Sequence, residues 1–297
     1  DADYSSPRLG EGALLGSATL SSPPIQPSPA RGEGFRPARV ATSSLTTHDS
    51  RLTTSLPWVV AAEVITGGAT HFIGTGRDAD SAMEKRIIKI NGEKVRGHAA
   101  LASHVCVQWL TPSMDQVFIE GGTARRKLLD RIVFGFAPEH AARVSAYESA
   151  MRERNKLLSD RQMADPYWLS VLEQQMAEHA VAITLARQEV LTRLHHELVE
   201  DIANFPRAVM RLDGLVEQWL MAGDSALDAE KKLAERLMET RNIDAARGRC
   251  SVGPQRSEFT VIHSTKNMLV EQCSTGEQKA LLLSMILAAA RARMNWC

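Results

Sequence analysis

The chain has 297 residues, with 35 basic and 35 acidic side chains and a formal net charge of zero when histidine is neutral. That balance excludes a polybasic protein that coats nucleic acid or anionic lipid by bulk charge, because such binding scales with the number of phosphates neutralised; any polyanion must be held by a local cluster. A hydrophobic share of 44% with only 5% aromatic residues excludes disorder throughout and suits one large or two joined domains packed through aliphatic helix faces.

Residues 1 to 54 read as a disordered leader. Pro, Gly and Ser fill 20 of the first 50 positions, as in SSPPIQPSPARGEG, which leaves too little apolar area to offset the entropy of ordering. From 55 to 124 the pattern is that of strands, with WVVAAEV, THFIGTG, RIIKING and VCVQWL separated by Gly, Asp and Asn. The Asn91-Gly92 pair after Ile90 is a hairpin turn signal, so short antiparallel strands are expected.

A helical region follows over 125 to 247. Its clearest member opens at Asp165-Pro166, an N-cap followed by proline at the first helical position. Leu169, Leu172, Met176, Ala180, Ile183, Ala186, Val190, Leu194, Leu198 and Ile202 then recur every three or four residues, and Pro206 ends the run. A second helix, Ser225 to Arg247, carries Ala226, Ala229, Leu233 and Leu237 at the same spacing and could pack antiparallel to the first. Charge divides within this region: residues 121 to 161 hold nine basic and five acidic side chains, and 162 to 205 hold two basic and seven acidic. One reading is a pair of solvated helix faces. The sharper one is a phosphate-binding patch around Arg125, Arg126, Lys127, Arg131, Arg152 and Arg154.

Over 248 to 297 the strand pattern returns with EFTVIHS and MLVEQC, followed by an apolar helix from Thr275 to about Arg293. Ser274 with Glu277 three residues later matches the capping box. A helix start with a hydroxyl, a glycine and exposed amides is also an anion site. Strands, a long helical excursion, then strands and a helix describe an α/β domain interrupted by a helical insertion. Cys106, Cys250, Cys273 and Cys297 form no C-x-x-C pair, so a reducing cytoplasm and no metal centre are expected. The longest apolar runs, Trp58 to Ala62 and Met285 to Ala290, fall far short of the roughly 20 residues that span a bilayer, so no membrane partner is expected.

The string STGEQKALL from Ser274 resembles the signature motif of SMC/RecF-type ABC ATPases. VQWLTPSMDQVF, GGTARRKLLDRIVF, RERNKLL and RNIDAARGRCSVGPQRSEF follow in the order and spacing of the RecF family, and the resemblance covers about Pro57 to Met294. It implies an incomplete ABC-ATPase-like head, divided over 55 to 124 and 248 to 297 by the insertion. Ser274, Thr275, Gly276 and Glu277 would then face the γ-phosphate of ATP held by the opposite subunit. Gln108 would be the Q-loop glutamine that senses Mg2+ and the γ-phosphate; otherwise it is a polar strand residue facing solvent. Arg125, Arg126, Asp130 and Arg131 match an RR-x-x-LDR segment, and Arg154-Asn155 an RN pair. In GPQRSE, Gln255 stands for the usual histidine and Glu258 for the usual aspartate, while the tight Gly253-Pro254 turn should persist; Arg256 is retained and joins Arg125, Arg126, Lys127, Arg131, Arg152 and Arg154 as DNA-binding candidates. The function implied is that of an ATP-dependent homodimer that binds single-stranded or gapped DNA and works with RecR and RecO in recombinational repair.

Two strings of the family are missing. No G-x-x-x-x-G-K-[ST] phosphate cradle occurs, and GTGRDADSAMEK from Gly74 reads as a strand-end turn. No apolar strand ending in Asp-Glu follows the signature helix, and LLD at Leu128 to Asp130 sits in helical context. The expectation is an internal piece of a RecF-like ATPase joined to an unrelated leader, with no catalytic residues of its own. The alternative is a non-catalytic helical dimerisation or partner-docking module.

Overall fold

Alternating β-branched residues build the first sheet. In the computed structural model the described residues are 39–41, 59–66, 69–77, 86–95, 99–102, 104, 108–160, 165–198 and 205–295. Strands β1 (Arg39–Ala41), β2 (Val59–Thr66), β3 (Ala69–Arg77), β4 (Arg86–Ile90) and β5 (Glu93–Val95) pair in that order, each antiparallel to the next. Val64, Ile73, Ile88 and Ile90 are its buried residues. The Asn91-Gly92 turn forms as expected, with φ of 52° and 86°, the left-handed pair that matches the twist of a two-residue hairpin. The Asn91 side chain accepts a hydrogen bond from the Phe72 amide at 2.8 Å and so ties the turn back to β3. Most of the expected leader lies outside the described residues; Arg39–Ala41 within it is an edge strand.

The stretch read as the strand VCVQWL departs from expectation. Residues 105–107 lie outside the described residues, and 108–110 form no strand. After the short helix α1 (Ala99–Ala102) the chain enters a 3-10 turn at Pro112–Gln116, because proline fixes φ and lacks the N–H a ladder needs.

Helices α2 (Gly122–Phe136), α3 (His140–Ser159) and α4 (Pro166–Glu197) follow. Asp165 caps α4 by accepting from the Tyr167 amide at 2.9 Å. Every described member of the expected stripe is buried except Ala186, which is half-buried; Ile202 lies outside the described residues. The helix stops at Glu197, well before Pro206, because the chain must turn into a strand that sequence patterning missed. That strand, β6 (Ala208–Asp213), pairs antiparallel with β7 (Glu258–His263), Ala208 opposite His263 and Asp213 opposite Glu258. After α5 (Leu215–Met221), the single helix expected over 225 to 247 is two, α6 (Ala226–Glu239) and α7 (Arg241–Arg247). Their break is at Thr240, whose hydroxyl bonds the Leu237 carbonyl at 3.2 Å and the Asp244 carboxylate at 3.1 Å, a local bond that competes with the helical ladder. Of the expected face, Ala229, Leu233 and Leu237 are fully buried and Ala226 is exposed. Strand β8 (Met268–Leu269) is shorter than MLVEQC suggested, since Val270–Gln272 turns as a 3-10 helix into α8 (Thr275–Asn295).

Two hydrophobic clusters organise these elements. One gathers Leu129 and Val133 of α2, Leu194 of α4, Met210 of β6, Phe259 of β7 and Met285 of α8. The other joins Tyr147 of α3, Met176 and Ile183 of α4, and Leu233 and Leu237 of α6. Helix α4, roughly 48 Å long at 1.5 Å per residue, serves both and carries the geometry of one to the other. Among the described residues no helix is long and apolar enough to cross a membrane.

Candidate functional site

The start of α8 is built by its own side chains. Glu277 accepts from the Ser274 amide at 3.0 Å and from the Ser274 hydroxyl at 2.9 Å, and the Glu277 amide points back at Ser274 Oγ at 3.4 Å. This is a reciprocal cap, reinforced by an ion pair from Lys266. Hydrogen bonding from Lys266, then from the Ser274 amide and hydroxyl, holds the Glu277 carboxyl down at about 2. Ser274, Thr275 and Gly276 are exposed. A Cβ placed on Gly276 would meet no atom within 4 Å, so the turn faces open space. The first amides of a helix have no intrahelical acceptor; here Gly276 and Glu277 border a cavity of about 700 Å³ lined also by Phe205–Arg207 and His263–Thr265. The geometry suits a phosphate oxygen arriving from outside the chain.

The predicted basic patch divides. Arg154 is completely buried: Nε bonds Glu173 at 2.9 Å, Nη1 bonds Asp244 at 2.8 Å and Nη2 bonds the Leu237 carbonyl at 2.6 Å. It therefore belongs to no surface patch, because both of its partners and its packing hold it inside the α3–α4–α7 junction. Arg125 is a staple between segments, bonding the carbonyls of Phe259 and Phe118 at 3.0 and 3.1 Å and pairing with Glu258 and Glu271. Arg131 lies 5.3 Å over the Trp109 ring, and Arg152 is an exposed residue of α3 paired with Glu148 at 3.6 Å. Arg126, Lys127 and Arg256 converge on a second cavity, of about 290 Å³. Gln108 is half-buried in the irregular segment before Pro112.

The Gly253-Pro254 turn persists, closed by the Arg256 amide on the Gly253 carbonyl at 2.9 Å. Gly253 has φ of 116° and lies against Tyr147, whose hydroxyl donates to Gln255 Oε1. Burial pushes the Tyr147 phenol well up, so it stays a donor. Arg187, missed in the sequence, anchors the turn: its Nη1 bonds the Pro254 carbonyl at 2.9 Å while Nε and Nη2 clamp Asp130 at 2.8 and 2.9 Å. Its signal was a charge at stripe spacing, four residues after Ile183 and three before Val190. Among the described residues, no group of three or more His, Cys, Asp or Glu side chains could hold a metal ion.

No protein-family profile matches the chain. It is 44% identical over 221 residues to the DNA replication and repair protein RecF of Rhizobium rhizogenes (strain K84), covering 74% of this chain and 58% of that protein. The RecF of Agrobacterium fabrum (strain C58) is 42% identical over 226 residues, covering 75% and 59%. The chain thus spans less than three fifths of the length of these relatives. Solved structures of the recombination mediator protein RecF in the RecFOR pathway, RecF-ATPrS and RecF-ATP, superpose with TM-scores of 0.69 and 0.67 at 18% identity, over 80% of this chain and 64% of theirs.

Proposed function

Since this chain is homologous to RecF proteins over about three quarters of its length and shares their α/β ATPase fold, we propose that it acts as part of a RecF-type, ATP-dependent DNA-binding protein of replication and recombinational repair. The observation that carries this reading is the exposed, reciprocally capped first turn of α8, in which Gly276 borders a cavity and a Cβ placed on it would meet nothing within 4 Å. In it, Ser274 to Glu277 receive the γ-phosphate of a nucleotide bound to a second subunit, with the helix dipole adding to the attraction. ATP with Mg2+ closes the dimer on single-stranded or gapped DNA, and RecR and RecO are its partners. In this reading the phosphates are held by the cradle of the other subunit.

The test is association with the RecF of Rhizobium rhizogenes, followed by sedimentation velocity with and without ATP. A mixed dimer that forms only with nucleotide, and that Ser274→Arg abolishes, supports the proposal. Association indifferent to nucleotide and to Ser274→Arg overturns it in favour of a helical dimerisation or docking module, the reading that the long amphipathic helices favour.

A further inference from the structure

The smaller cavity, between α2, α3, α4 and the turn that ends at Arg256, carries chemistry that the nucleotide reading leaves unused. Its lining is strongly cationic: Arg126 and Lys127 come from α2, Arg187 from α4, Arg249 from the segment after α7 and Arg256 from the turn. Val144, Met151 and Ile183 supply apolar lining. Two carboxylates line the cavity and both are engaged. Asp130 is clamped bidentately by Arg187 and bonded by His140 Nε2 at 2.8 Å, and Glu148 pairs with Arg152. Glu258, the other acid near Arg126, is itself paired with Arg125.

Four cations therefore line the cavity without a carboxylate committed to them. Arg126 is positioned by the Ser257 carbonyl at 2.9 Å and the Thr123 hydroxyl at 3.2 Å, and Arg256 by the Cys250 carbonyl through Nε at 3.2 Å and Nη2 at 3.0 Å. Each bond uses part of a five-donor guanidinium and leaves the rest available. Lys127 and Arg249 are exposed and make no side-chain hydrogen bond or ion pair among the described residues. Burial, then repulsion from Arg187, lowers the Arg126 guanidinium from its ordinary range, and an anion in the cavity relieves that repulsion. The volume of about 290 Å³ lies at the small end of ligand sites, room for one phosphate with its sugar against apolar side chains of the lining.

We propose that this cavity is a phosphate site, in which Arg126, Lys127, Arg249 and Arg256 hold one phosphate group of a nucleic-acid strand or of a free nucleotide. The inference deepens the DNA-binding reading and rests on it for the source of the phosphate, while the site itself stands on the cavity's charge and shape.

The full chain is titrated calorimetrically with inorganic phosphate and with thymidine 5′-monophosphate, and by fluorescence anisotropy with labelled single-stranded DNA. The variants are Lys127→Glu and Arg249→Glu, both exposed, and Lys231→Glu on α6 as a control, with circular dichroism melting to verify that each folds. Loss of one charge-assisted phosphate contact weakens binding about tenfold or more, so both cavity variants should bind the nucleotide about tenfold more weakly and Lys231→Glu should match the parent. If DNA affinity falls in parallel, the phosphate is that of the strand; if only nucleotide affinity falls, the site takes a free nucleotide and the strand is held elsewhere. No nucleotide binding, or binding indifferent to both cavity variants, overturns the inference, and DNA binding that persists unchanged in that case leaves the wider reading standing. Capture of a glutamate-rich peptide in place of phosphate overturns it as well.

Discussion

Arg154 shows how a side chain that looks like a ligand-binding cation can be a structural one. Burial works against its charged form, and hydrogen bonds to Glu173 and Asp244 more than restore it, so the guanidinium is held charged. A pair of this kind adds little net stability over a well-packed apolar substitute, yet breaking it from one side leaves buried charge uncompensated. Arg154→Met should cost about 3 to 5 kcal/mol, read as a lowered urea midpoint with an unchanged slope. The low end is expected, because Arg241 still pairs with Glu173, and the Ser251 amide and Thr240 hydroxyl still bond Asp244. Glu277 makes a pH prediction of the opposite exposure. Its carboxyl is held at about 2, below the ordinary value of about 4.3, so the cap is stabilising and complete above that ordinary value and is lost as pH falls through 2. Amide exchange at Ser274 to Gln278 should accelerate over that window, and Lys266→Met should move its onset to higher pH.

At the scale of elements, the turn at 253 to 256 is where α3, α4 and the strand region meet. Gly253 sits at φ of 116°, and an added Cβ would come within 2.2 Å of the Tyr147 hydroxyl. Strain in such a conformation costs about 1 to 3 kcal/mol by itself. Gly253→Ala should thus destabilise by at least about 2 kcal/mol and loosen the Arg187 anchor, seen as faster exchange in α4 around Arg187. The glycine was legible in the sequence because Gly-Pro marks a turn. The α4 stripe was legible because eight apolar residues, from Leu169 to Leu194, kept one spacing. The strand β6 was not, because six residues of alternation between two helices carry too little periodic signal against their flanks. Thr240 was equally quiet: the run 225 to 247 keeps its helical spacing, and only the threonine's bonds to Leu237 and Asp244 divide it. Arg154 and Arg187 fall at apolar-stripe spacing, which marks them as buried, whereas counting charge by segment assigned Arg154 to a surface.

For the molecule as a whole, zero net charge makes the strength of any nucleic-acid binding a matter of local geometry, and that has a thermodynamic signature. Each phosphate neutralised on a single strand contributes about −0.7 to the slope of log K against log salt. With Arg154 inside, Arg125 stapled to two carboxylates and Arg152 paired along its own helix, the proposed strand contacts are the four cations lining the small cavity, together with Arg131 over Trp109. About five contacts then bound the slope near −3.5 for single-stranded DNA. Anisotropy titrations across a salt series should fall at or inside that value, and Arg249→Glu should make the slope shallower by about 0.7. A slope near twice that bound would require phosphate contacts beyond these five cations, and would move DNA binding away from the α2 face.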